Sequence, residues 1–107
     1  MFLGKVIGTV WSTVKWKEME GLKLLLVRPY SLGDLAAHLA PAQRAPTHEG
    51  VVCVDTLGAG VGDDVVIAFG HAARVAVVER LGEGERPGHP IDAAVVAIVD
   101  GIQLDGA

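Results

Sequence analysis

"VCVDTLGAGVGDDVVIAFGHAAR", residues 52–74, sets two short apolar runs on either side of a glycine-rich connection and ends on a histidine and an arginine. "VVCVD" (51–55) and "DVVIAF" (64–69) have the length and valine content of strands. Between them Gly58, Gly60 and Gly62 occupy alternate positions. A glycine-rich turn after a strand is a frequent phosphate cradle, so the choice lies between a nucleotide site and a tight strand connection. A dinucleotide fingerprint needs G-x-G-x-x-G closing a strand and opening a helix. The run G-A-G-V-G is one residue short, Asp63 and Asp64 follow it and would repel a phosphate, and the next segment is β-rich and offers no helix N-terminus. No G-x-x-x-x-G-K-[ST] pattern occurs in the chain. The glycines therefore read as a side-chain-free loop that packs against a symmetry mate or lines a narrow opening. At Gly60 a branched residue is expected to exclude left-handed backbone and close contact.

Outward from this stretch the chain stays β-rich. Residues 2–11 alternate with a period of two, and Gly4 and Gly8 share a face with Val6, as in a strand that bends or lets another backbone approach. Residues 13–21 are polar and read as a loop ending at Gly21. "LKLLLVR" (22–28) is almost continuously apolar, as a central strand covered on both faces would be, with Pro29 ending its pairing. Residues 30–50 form a long connection, with a helical turn at "DLAAHLA" capped by Asp34. Residues 72–81 are ambiguous, since alanines favour a helix and valines a strand. Residues 82–90 are a loop and 93–100 the last strand. Five or six short strands without regular strand–helix alternation predict a mainly β fold, a small antiparallel or mixed OB-like barrel.

Composition bounds the function. A chain of 107 residues, half of them apolar, fits one domain. A formal net charge of −4 argues against a general nucleic-acid binder. Cys53 is the single cysteine, so no intramolecular disulfide forms, and its place inside "VVCVD" predicts a buried, inert thiol. "MFLGKVIGTVW" is interrupted by Gly4, Lys5 and Gly8 and reads poorly as a signal peptide. The apolar run 93–99 is far shorter than the roughly 20 residues of a membrane span. A soluble intracellular protein is expected.

Candidate chemistry is sparse. His38, His48, His71 and His89 have no metal-ligand spacing and read as loop histidines. Asp55 and Asp63 flank the glycine loop and, with His71, could imitate an acid/base set, but a nucleophile is missing and turn-capping is the commoner role of such aspartates. Lys15, Trp16, Lys17 and Lys23 offer a rival reading, an OB-fold patch for single-stranded nucleic acid. The few aromatics and the negative balance weigh against it. Trp11 and Trp16 are expected over the open end of the barrel or at a subunit contact.

Taken together, "GKVIGTVWSTVK" (4–15), "GLKLLLVRP" (21–29), "VCVDTLGAGVGDDVVIAFGHAAR" (52–74) and "PIDAAVVAIVD" (90–100) resemble, in order, the pentameric vertex proteins of bacterial microcompartments. That family caps carboxysomes and the ethanolamine- and propanediol-utilisation compartments. The resemblance implies one domain over 1–107, an OB-like barrel assembling as a cyclic pentamer. It also implies a structural, non-enzymatic role in a shell within the bacterial cytoplasm. The implied partners are identical copies and hexameric or pseudohexameric shell proteins, with no nucleic acid, membrane, metal or cofactor. It makes Gly58, Ala59, Gly60, Val61 and Gly62, and the short loop carrying Gly70, His71 and Arg74, candidates for a subunit contact or the lining of a five-fold opening. Lys15 and Gly21 match the lysine and glycine that precede the apolar strand. His71 stands where the family commonly has serine.

Overall fold

β1 (Phe2–Val10) pairs antiparallel with both β2 (Lys23–Pro29) and β4 (Asp64–Phe69). The computed structural model describes residues 1–33, 50–81 and 90–105. The helical turn expected at Asp34, with His38, His48 and His89, lies outside the described residues. β3 (Val51–Asp55) and β5 (Ala93–Val99) complete a closed barrel in the order β1-β2-β3-β5-β4. All neighbours are antiparallel except β3 and β5, which meet in parallel at Val54 and Ala94. This is the expected mixed barrel.

The inward faces follow the strand period. Val6, Leu25, Val27, Cys53, Val65, Ile67 and Val95 fill the barrel, joined by Ala59 from the glycine loop. The apolar run of β2 also fits its surroundings, since Leu25 and Val27 face this core while Leu22 and Leu24 pack against a second cluster outside it. That cluster, Val54, Ala73, Val77, Ile91 and Ala94, lies under α1 (Gly70–Leu81). The ambiguous segment 72–81 is thus helical. Ala73 and Val77 fall one turn apart on the buried side, and their packing decides what local propensity left open. Residues 70–74, expected as a short loop, are the first turn of this helix, and Gly70 at φ 62° turns the chain out of β4. Within 13–21, Lys17–Met19 forms one 3-10 turn.

Pro29 is the last residue of β2 and faces Gly4 across the ladder. The register of β1 against β2 slips between Val6 and Gly8, where the strand bends. Tyr30 ties the β1–β4 seam, its N–H donating to the Leu3 carbonyl (2.8 Å) and its hydroxyl to Asp64 Oδ1 (2.7 Å).

Cys53 is buried, with Sγ 3.7 Å from the Val51 carbonyl. Burial, and secondarily the negative charge of Asp92, push its thiol from 9.0 up to about 12. Because the folded state holds this proton more tightly, the thiol's contribution to stability is complete below pH 9.0 and is lost as pH rises towards 12. At neutral pH a maleimide is expected to leave Cys53 unmodified in the folded chain and to label it in urea. Labelling of the folded chain at the rate of a free thiol would contradict this burial.

Candidate functional site

The glycine loop is built on one buried carboxylate. Asp55, 4% exposed at the end of β3, accepts from three successive amides. Leu57 N–H donates to Oδ1 (3.1 Å), and the N–H groups of Gly58 (3.1 Å) and Ala59 (2.9 Å) donate to Oδ2. Lys23, opposite Asp55 in the β2–β3 register, closes the arrangement. Its Nζ lies 3.1 Å from Asp55 Oδ2 and also donates to the Ala59 carbonyl. Asp63 holds the second half of the loop, with Gly60 N–H donating to its Oδ2 (2.9 Å) and its own N–H donating to the Gly60 carbonyl (3.0 Å). Gly62 N–H to the Val6 carbonyl and Val6 N–H to the Asp63 carbonyl, both 2.9 Å, fasten the loop to β1. Lys5 Nζ reaches the Gly62 carbonyl at 3.3 Å.

This geometry disposes of the phosphate reading on physical grounds. The amides at 57–59 that would cradle an anion already surround the carboxylate of Asp55. Both aspartates serve as turn caps, the role expected of them.

The glycines are not equivalent. Gly58 (φ 90°) and Gly62 (φ 96°) occupy left-handed backbone, whereas Gly60 does not, and a Cβ on Gly60 would meet no atom of its own chain within 4 Å. The expectation that Gly60 itself needs left-handed geometry is overturned. Gly58→Ala is expected to lose about 1 kcal/mol, and Gly60→Ala to stay within about 0.5 kcal/mol of the parent in the isolated chain. Urea unfolding of the two variants side by side checks this, and equal losses would contradict the assignment.

The remaining candidates are dispersed. Ala59 points into the barrel, Val61 is exposed at the loop tip, and Gly58 and Gly62 lie at the surface. Gly70, His71 and Arg74 follow the other end of β4, six residues or about 20 Å away. His71 is exposed, and Arg74 Nη1 donates to the Ile91 carbonyl at 3.3 Å. The structure therefore does not bring His71 together with Asp55 or Asp63. Among the described residues no group of three or more His, Cys, Asp or Glu could hold a metal ion. No helix among them is long and apolar enough to cross a membrane.

Trp11 and Trp16 do not cover the barrel end. They stand 88% and 72% exposed, and Trp11 Nε1 donates to Thr9 Oγ1 at 3.0 Å. Lys23, required by the nucleic-acid reading, is engaged with Asp55. Sequence reasoning missed the Lys23–Asp55 pair, although a lone lysine inside an apolar strand was its visible trace.

Comparison with known proteins gives a consistent match. The family model described as ethanolamine utilisation protein EutN/carboxysome matches residues 1–100. The chain is 41% identical to the bacterial microcompartment shell vertex protein GrpN of Rhodospirillum rubrum, over 96% of this chain and 97% of that one. It is 43% identical to the shell vertex protein PduN of Salmonella typhimurium, over 94% and 96%. The solved structure of the pentameric GrpN shell protein aligns with a TM-score of 0.68 at 38% identity, covering 97% of this chain and 98% of that one. The structure of Gloeobacter violaceus CcmL aligns with a TM-score of 0.74 at 31% identity, covering 98% and 91%.

Proposed function

Because this chain belongs to the ethanolamine utilisation protein EutN/carboxysome family, we propose that it forms homopentamers that cap the vertices of a polyhedral bacterial microcompartment in the cytoplasm. The observation that carries this reading is the nearly complete, mutual alignment with a pentameric shell protein at 38% identity. A five-fold unit set among hexagonal tiles forces curvature, so a flat sheet closes into a container. Residues 1–107 act as one unit in this role, contacting copies of themselves and the edges of hexameric and pseudohexameric shell proteins. The chain's contribution is geometric, and no catalytic step or cofactor is assigned to it.

Native mass spectrometry tests the assembly: a pentamer at micromolar concentration is expected, and a monomer or dimer would overturn the reading. Co-assembly with cognate hexamers tests the capping role, since shells made without this chain are expected to be open or elongated. For the loop candidates 58–62, Gly60→Val is informative because the chain itself has room for the side chain. Loss of the pentamer with unchanged stability of the isolated chain would place the loop against a neighbour, whereas an intact pentamer would remove it from the contact.

A further inference from the structure

A ring requires a head-to-tail contact between two different surfaces of the same chain, because a self-complementary patch gives a dimer instead. Among the exposed apolar side chains of the described residues, two groups lie at opposite ends of β1. The first is the arm after β1, where Trp11 is 88%, Val14 93% and Trp16 72% exposed. Beside it lies a cavity of about 330 Å³ lined by Val10, Trp11, Leu22 and Leu24 among others. The indole N–H of Trp11 is already bonded to Thr9, so its ring faces remain for apolar contact. The second surface is at the opposite end of the same strand, some 26 Å along β1. There Phe69, 46% exposed and stacked on Phe2 with centroids 5.0 Å apart, ends β4, and Val75, 44% exposed, follows on the second turn of α1.

The apolar area of the arm is of the size that a contact between copies needs. Each buried tryptophan contributes about 150–250 Å². The arm therefore offers several hundred Å², a substantial part of the roughly 800 Å² that each partner gives to a standard interface. Charge is mixed on both sides. Lys15 and Lys17 flank Trp16, with Glu18 and Glu20 following. The second surface has the exposed Asp92, whose carbonyl accepts from Gly70 N–H at 2.9 Å, and Arg74, which donates to the Ile91 carbonyl.

We propose that the arm at residues 11–16 of one copy is buried against the Phe69 and Val75 surface of the next copy, and that this contact, repeated, closes the ring. The proposal rests on the pentamer reading above. It places His71, on the first turn of α1, at the edge of the contact, and leaves the glycine loop outside it.

The test uses the full chain and its two tryptophans as probes. In the wild-type pentamer, tryptophan emission is expected to be blue-shifted and shielded from acrylamide, relative to the Trp16→Asp variant. Trp16→Asp and Val75→Asp are each expected to run as monomers on native mass spectrometry with unchanged far-UV circular dichroism, since both positions are at the surface. Mixed together, each retains one working surface that the other complements, so a 1:1 heterodimer is expected and no ring. Pentamers formed by either variant, tryptophans freely quenched within a wild-type pentamer, or two monomeric variants that fail to pair would overturn this contact while leaving the pentamer standing. A wild-type chain that is not pentameric would instead remove the premise.

Discussion

Asp55→Ala is expected to destabilise the folded chain by about 3 kcal/mol, a large share of the 5–15 kcal/mol that holds a domain of this kind together. Three amides at 57–59 lose their acceptor at once, and each donor left without a partner in a buried setting is worth about 1–3 kcal/mol. Because the loop is partly wet, the low end of that range applies to each. The Lys23 pair adds little to this total, since its ammonium is half exposed and screened. At this chain length the loss corresponds to a Tm lower by about 15 °C. Asp55→Asn keeps a carbonyl oxygen and about half of the stability. Measurements belong at a protein concentration low enough to dissociate the assembly, because binding between copies raises apparent stability. An Asp55→Ala chain within 1 kcal/mol of the parent would mean that water replaces the carboxylate and that the loop is held by its bonds to β1 alone.

Legibility in the sequence followed the range of the forces involved. The strands 51–55 and 64–69 and the last strand could be read because short valine-rich runs bounded by turn residues are a local signal. Residues 72–81 could not, since alternating alanine and valine satisfies either element and only contact with Ile91 and Ala94 selects the helix. The same holds within the loop. That Asp55 and Asp63 cap turns was readable from residue type, whereas the partnership of Asp55 with Lys23 depends on β2–β3 register, which spans 32 positions of chain. Three glycines at alternate positions looked alike as letters, yet only Gly58 and Gly62 carry positive φ. Surface roles are the least legible, because the exposure of Trp11 and Trp16 is fixed by where the arm leaves the barrel and not by their neighbours in sequence.

Among the described glycines, Gly4→Ala is expected to be the most damaging change, at about 3 kcal/mol. Gly4 is buried in β1 between two partner strands, opposite Pro29 on one side and Val65 on the other. A Cβ there would sit 2.5 Å from Val27 Cγ1 and 2.9 Å from the carbonyl oxygen of Arg28. Rotation of Val27 would relieve the first overlap only by disturbing a core position that is fully buried. The second overlap involves backbone in the β1–β2 ladder, so β1 and β2 would have to separate and weaken the pairing of Lys5 with Arg28. Overpacking of this kind typically loses 1–3 kcal/mol, and more where backbone must move. Gly8 provides the internal control, because a Cβ there would meet only Leu26 Cβ at an ordinary 3.8 Å. Gly8→Ala is accordingly expected to be neutral or slightly stabilising through reduced freedom of the unfolded chain. Gly4→Val, with two further methyls, is expected to give no cooperative transition in urea. Equal midpoints for the alanine variants at 4 and 8 would show that strand separation at Gly4 is cheap. Barrel closure would then rest on the bend between Val6 and Gly8, not on close approach of β1 to β2.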